Sequence, residues 1–368
     1  MDYFLCAGFI LFLTIVFSRV KVFDAQTKTI YFFLAFCLVF GFIIMRNISL
    51  STTGDAYAYY KLYIFAKGKR FIEYLQSIHY GEITFWYFFW HLSNLNVPYF
   101  FVRIAMYGFM YILSFTIASE FSYHNRFCDY IFLASNLLIA YSLLRNCIAY
   151  LLIWVAILKY FDGKKTAAYL LSIVAFSIHS SALIILVFWL FDFLYEKIHS
   201  IYKTLFITGI ASIAGYFFLQ LIITDLAFRY YKVRYYYIQQ NSSDTTAFPF
   251  WTLVSRLIIL ALLLFWCKGI YKYKSNYRFA LIVRLTIFML VSLIPCIVLS
   301  MAYRFIDYFL IVYPLAFSFI RKETEQDFKY HKRKLPFEIV CIDSISLVNF
   351  LLVITRSLDG YGIIPLKW

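Results

Sequence analysis

Residues 129–158 read DYIFLASNLLIAYSLLRNCIAYLLIWVAIL, an apolar run whose only charges are Asp129 at its start and Arg145 near its centre. As helix these residues reach about 45 Å, whereas two full crossings of a bilayer need roughly 60 Å. The loops on either side, 119–128 with Arg126 and 159–165 with three lysines, read as cytoplasmic. Two loops on one face require an even number of crossings, so the run predicts a short hairpin of spans 129–144 and 146–160. Its apex, Arg145, then lies below the outer membrane surface. An arginine within lipid costs about 2.5–3.5 kcal/mol on insertion scales, so such a residue faces a polar cavity or a ligand. One tilted span would instead put Phe161–Lys165 outside, and lysines 159, 164 and 165 argue against it.

The same arithmetic applies to residues 166–195, whose middle is Ser177-Ile-His-Ser-Ser181. His179 is thereby placed at a similar depth. Non-helical backbone there is tolerated only where it lines a cavity or is covered by protein.

These runs belong to a chain of 368 residues that is 63% hydrophobic, 23% aromatic and 14% charged. Soluble domains carry roughly a quarter charged residues. Apolar segments recur throughout, which predicts an all-α polytopic membrane protein, one integral domain over 1–368 with about 12 transmembrane helices (roughly 10–13). The spans fall at 3–18, 30–45, 98–118, 129–144, 146–160, 166–179, 181–195, 204–224, 251–267, 279–299, 305–320 and 335–354. Met1 to Ser18 lacks a basic start and a small-residue cleavage site, so it reads as a span and not as a signal peptide. The net charge of +15 resides largely in short loops. That placement points to topology and lipid headgroups and excludes nucleic acid as a partner. Cysteines 6, 37, 128, 147, 267, 296 and 341 are scattered singly, giving neither a metal site nor a disulfide framework.

Loops 19–29, 119–128, 159–165, 196–203, 268–278 and 321–334 hold more than half of the 34 Lys and Arg and are assigned to the cytoplasm, the last being the most basic. Both termini then lie outside. Two longer segments also lie outside. One covers about 46–97 and ends in an aromatic stretch, Phe85 to Leu92, expected along the interface; the other, about 225–250, is rich in tyrosine.

Arg46, Arg103, Arg145, Arg256 and Arg304 all fall toward this outer face. Guanidinium binds phosphate oxygens through paired, charge-assisted hydrogen bonds and stays ionised in apolar surroundings. Arg103 and Arg256 lie close enough to span ends to snorkel to the surface. His179 can be satisfied by its flanking serines, but arginines nearby favour the neutral imidazole, which can serve as a base. In Ser51-Thr-Thr-Gly-Asp-Ala-Tyr-Ala-Tyr-Tyr60, Gly54 permits a turn and the tyrosines offer stacking faces. Asp55 either caps a short amphipathic helix or meets a sugar hydroxyl or an arginine. No phosphate-binding Walker loop, GxSxG or HExxH occurs, nor an acidic pair to hold a divalent metal, so neither metal nor cofactor is expected.

In this order, these residues resemble the EpsG-like, Wzy-type polymerases of O-antigen or capsular polysaccharide. Arg46 followed by Gly54-Asp55-Ala-Tyr57-Ala-Tyr59-Tyr60 is similar to that family's glycine–aspartate–tyrosine loop. Arg145-Asn-Cys-Ile-Ala149 and then His179-Ser-Ser-Ala182 are similar to its arginine-led and histidine-led helices, and Arg304-Phe-Ile-Asp-Tyr308 resembles its late arginine–tyrosine element. The likeness covers residues 40–320; Asp55 directly after Gly54, and Ala58 where asparagine is common, depart from the pattern.

The resemblance implies a metal-independent glycosyltransferase of GT-C-like architecture, multi-pass in the bacterial cytoplasmic (inner) membrane. It would move a growing glycan from undecaprenyl diphosphate onto another lipid-linked repeat unit, so that this lipid-linked glycan is both donor and acceptor. Membrane lipids and a chain-length regulator protein are the further partners. His179, Arg145, Arg304 and Asp55 are the catalytic candidates, with His179 first and Asp55 second as base. Arg46, Tyr57, Tyr60, Arg103, Arg256 and Tyr308 are the substrate-binding candidates. Competing readings are an O-antigen ligase, a flippase for the same lipid-linked glycan, and a membrane acyltransferase.

Overall fold

The computed structural model describes residues 55–78, 82–121, 126–198, 200–229, 257, 258, 260, 261 and 277–293. Among them every regular element is helical and no strand occurs. Among the described residues two helical segments, Tyr99–Ala118 and Leu144–Phe161, are long and apolar enough to cross a membrane. The predicted spans 3–18, 30–45, 305–320 and 335–354, most of 251–267 and the loop 321–334 lie outside the described residues.

The chain divides into two compact units between Ala182 and Leu183. The first contains α1 (Asp55–Phe65), α2 (Phe71–Ile78), α3 (Ile83–Asn94), α4 (Tyr99–Phe121), α5 (Arg126–Phe161) and α6 (Lys165–Ile178). A 3-10 turn, Ser180–Leu183, follows α6. The second unit contains α7 (Ile184–Ile198), α8 (Ile201–Arg229) and α9 (Tyr277–Ser292).

The segment expected outside the membrane contains three helices among its described residues, and α1 packs on α3. Tyr59 and Tyr63, four residues apart, share one face of α1. Phe85 and Phe89 share one face of α3 in the same way. The two faces meet, with ring centroids 5.7 Å apart for both Tyr59–Phe85 and Tyr63–Phe89. The aromatic stretch expected along the interface is therefore split by helical periodicity. Phe85, Trp86 and Phe89 are buried, while Tyr87 and Phe88 remain exposed.

Side chains of α1 and α3 also close the connections. Tyr63 Oη donates to Val97 O at 2.6 Å, Trp90 Nε1 donates to Lys69 O at 2.7 Å, and Asn94 Oδ1 accepts from the N–H of Gly68 at 2.9 Å. Gly68 has φ +75°, which a residue without Cβ adopts freely. Burial raises the Tyr63 and Tyr74 phenols above their usual range, so both stay protonated.

Helix α5 corrects one expectation and supplies its geometric content. No non-helical apex occurs at Arg145; the backbone is helical throughout 126–161. Yet Cys147 Sγ donates to Asn136 O at 3.6 Å, and Tyr150 Oη donates to Asn136 Oδ1 at 2.5 Å. In straight helix, residues 136 and 147 would stand about 16 Å apart along the axis, and 136 and 150 about 21 Å. The axis therefore bends sharply between Asn136 and Cys147. The sequence Leu143-Leu-Arg-Asn-Cys147 contains neither glycine nor proline, so nothing in it ends the helix. A thiol intruding on a helix carbonyl is the kind of contact at which helices kink. Asn136 Nδ2 also donates to Ser114 Oγ at 3.1 Å, tying the bent helix to α4.

At Asp162-Gly163 the chain turns from α5 into α6. Lys164 N–H reaches Lys159 O at 2.9 Å and Gly163 N–H reaches Tyr160 O at 3.0 Å, with Gly163 at φ +81°, the paired bonds of a left-handed helix stop. Helix α6 then buries Ala168, Ser172, Ala175 and Ile178, a stripe of mostly small residues. Leu170, Ile173 and Val174 on its other side are exposed, as suits a face toward lipid tails.

In the second unit, Phe188 and Phe191 of α7 each lie 5.4 Å from Phe288 of α9, and Ser212 of α8 donates to Val291 O. Arg284 of α9 donates to fully buried Asp192 at 2.6 Å and to Glu196 at 3.3 Å, with its guanidinium 4.9 Å from the Tyr195 ring centre.

Candidate functional site

Helix α6 stops at Ile178 without glycine or proline. His179 is extended (φ −149°, ψ 124°), and the 3-10 turn begins at the next residue. Serine hydroxyls compete with helical hydrogen bonding, and Ser177-Ile-His-Ser-Ser181 places three around one histidine. The non-helical backbone expected here is observed. Ser177 Oγ donates back to Val174 O at 2.8 Å. Ser181 donates its backbone N–H to His179 Nδ1 at 3.2 Å, and its hydroxyl also lies on Nδ1. A backbone N–H only donates, so Nδ1 is the acceptor nitrogen and a neutral ring carries its proton on Nε2.

Two contacts join this break to Arg145. Ser181 Oγ lies 3.4 Å from Asn146 Oδ1, and Ser180 Oγ donates to Glu82 Oε1 at 3.1 Å. The other oxygen of that carboxylate, Oε2, accepts from Arg145 Nη1 at 3.4 Å. Arg145 is 8% exposed and Glu82 2%. The guanidinium carbon stands 5.6 Å from the centre of Phe85 and 5.3 Å from that of Trp86, within cation–π range. Arginine, carboxylate, histidine, amide and two serines thus converge from α5, the start of α3, and the break after α6. Such a set can bind an anionic oxygen and move a proton.

A model of the EpsG family matches residues 29–368. The chain belongs to the EpsG family. Membership gives it a polysaccharide-polymerase-like, glycosyltransferase-like function in a membrane setting. No curated protein and no solved structure matches it.

Within this EpsG-family chain the sequence candidates separate. Arg145 and His179 come together through Glu82–Ser180 and Asn146–Ser181. Half-buried Arg103 lies on α4, where its charge reaches the Tyr99 and Tyr107 phenols. Tyr57 has the Lys61 ammonium 4.6 Å from its ring centre, and Tyr60 packs on Tyr99 at 5.4 Å. Helix α1 meets the cluster through Tyr59 instead, whose ring packs on Phe85 and Trp86. Asp55 is the first residue of α1; its side chain lies outside the described ones. Arg46, Arg256, Arg304 and Tyr308 lie outside the described residues. Among those described, no cluster of three or more His, Cys, Asp or Glu could hold a metal ion.

Glu82 is the residue that sequence reasoning passed over. It follows Gly81 and precedes an aromatic helix, where an acid reads as an ordinary N-terminal charge. The one available signal was its isolation: a carboxylate beside so apolar a stretch needs a partner.

Proposed function

We propose that this protein polymerises undecaprenyl-diphosphate-linked oligosaccharide repeat units into O-antigen or capsular polysaccharide. The reaction takes place on the outer face of the bacterial cytoplasmic membrane, within a GT-C-like bundle of about 12 spans. The observation that carries this reading is the meeting of Arg145 with the His179 break. In the reaction, a hydroxyl oxygen of the acceptor sugar attacks the anomeric carbon of the donor, and the bond from that carbon to the diphosphate breaks. The negative charge developing on the diphosphate is met by Arg145, joined by Arg304 and Arg46 as the family resemblance implies, without a metal ion. The acceptor proton passes to Ser181 Oγ as Ser181 gives its own proton to His179 Nδ1, leaving an imidazolium. His179 is thus the base and Ser181 the relay. Displacement from the face opposite the diphosphate inverts the anomeric centre.

The test is purified protein in liposomes with radiolabelled lipid-linked repeat units. The wild type should build a ladder of lengthened glycans, and His179→Ala should leave single repeats. Movement of label between leaflets without lengthening would mark a flippase. Full-length polymer from His179→Ala would remove the histidine from the mechanism.

A further inference from the structure

We propose that Glu82 is a positioning residue that fixes the direction in which Arg145 presents its guanidinium, and that it ties this arginine to the His179 break through Ser180. The proposal rests on the reading of Arg145 as the diphosphate-binding arginine. Glu82 immediately precedes α3, where a side-chain oxygen ordinarily caps the exposed N–H groups, yet it makes no capping hydrogen bond. Its two oxygens are divided instead: Oε2 to Arg145 at 3.4 Å and Oε1 to Ser180 at 3.1 Å. Phe85 and Trp86, the rings that flank the same guanidinium, stand on the turn that Glu82 opens. One short segment therefore supplies both the anion and the aromatic walls that orient the arginine. The Nη1–Oε2 contact is long, whereas a closed charge-assisted pair measures about 2.7–2.9 Å. A carboxylate at that distance directs the guanidinium without clamping it in a bidentate pair, and an arriving diphosphate competes with it for the same group.

Two quantities separate this role from simple packing: the rate of glycan extension in liposomes, and the affinity of purified protein for undecaprenyl diphosphate. Glu82→Gln keeps the shape and removes the charge. It should slow extension about tenfold, because the arginine loses its set direction. The same variant should bind undecaprenyl diphosphate several-fold more tightly, because the competing anion is gone. In an Arg145→Ala background it should change neither quantity. Glu82→Asp, which keeps the charge but withdraws it by one methylene, should slow extension without tightening binding; it serves as the test should Glu82→Gln melt early. Rate and affinity falling together, no change in either, or effects that persist in Arg145→Ala would overturn the proposal. A wild type that extends no glycan defeats the polymerase reading alone. Tighter binding by Glu82→Gln that vanishes with Arg145→Ala would still uphold the role of Glu82.

Discussion

Among the described residues two arginines each meet a buried carboxylate, and the two pairs are built differently. Arg284 and Asp192 meet at 2.6 Å between two regular helices, with Glu196 and the Tyr195 ring completing the arrangement. Arg145 and Glu82 meet at 3.4 Å beside a helix break, among a histidine, an amide and two serines. A short charge-assisted bond between packed helices behaves as a strut, since removing Arg284 would leave the Asp192 carboxylate buried without that cation. The looser pair leaves geometry to be adjusted and is surrounded by groups that can exchange protons. Residue type and burial alone do not separate the two; pairing distance and neighbours do.

Breaking the strut should have the largest energetic effect. Arg284→Gln, which leaves the Asp192 carboxylate buried without its cation, should lower stability by about 3–5 kcal/mol, read as a fall in melting midpoint in detergent, while extension activity persists at temperatures where the variant is folded. Loss of activity in folded Arg284→Gln would erase the distinction between the pairs. Arg145→Lys should do the opposite. We expect glycan extension to fall roughly 100-fold with little change in melting, because lysine lacks the planar paired donors. Normal extension by this variant would refute a diphosphate role for Arg145. The relay is a smaller matter: Ser181→Ala, which keeps the backbone N–H on Nδ1, should slow extension about tenfold, and an unchanged rate would show that the proton takes another route. The mildest case is Arg103→Lys, expected to stay within about twofold of wild type if Arg103 merely extends toward the surface. A loss as large as that of Arg145→Lys would move Arg103 into the site.

The length of 129–158 predicts a hairpin with its apex at Arg145, whereas the structure has one helix, Arg126–Phe161, bent between Asn136 and Cys147. The bend is not legible in the sequence, because the contact that accompanies it, a thiol on a carbonyl eleven residues back, has no local signature. The length of 166–195 places a break at His179, and the structure gives it a local cause in the serines whose hydroxyls compete for the backbone. The aromatic stretch Phe85 to Leu92 is expected along the interface, and only the packing of α1 on α3 decides which of its rings go inside.

Composition and periodicity by themselves determined an all-helical membrane chain, since apolar length and a scarcity of charge leave few other ways to satisfy the backbone. The order of short motifs placed the chain among polysaccharide polymerases, which the match to the EpsG family over residues 29–368 bears out. The partner of Arg145 was decided only by the tertiary structure. Glu82 stands sixty-three positions away along the chain. Sequence spacing constrains neighbours within a few helical turns, whereas a buried charge is satisfied by whichever opposite charge the packing brings near.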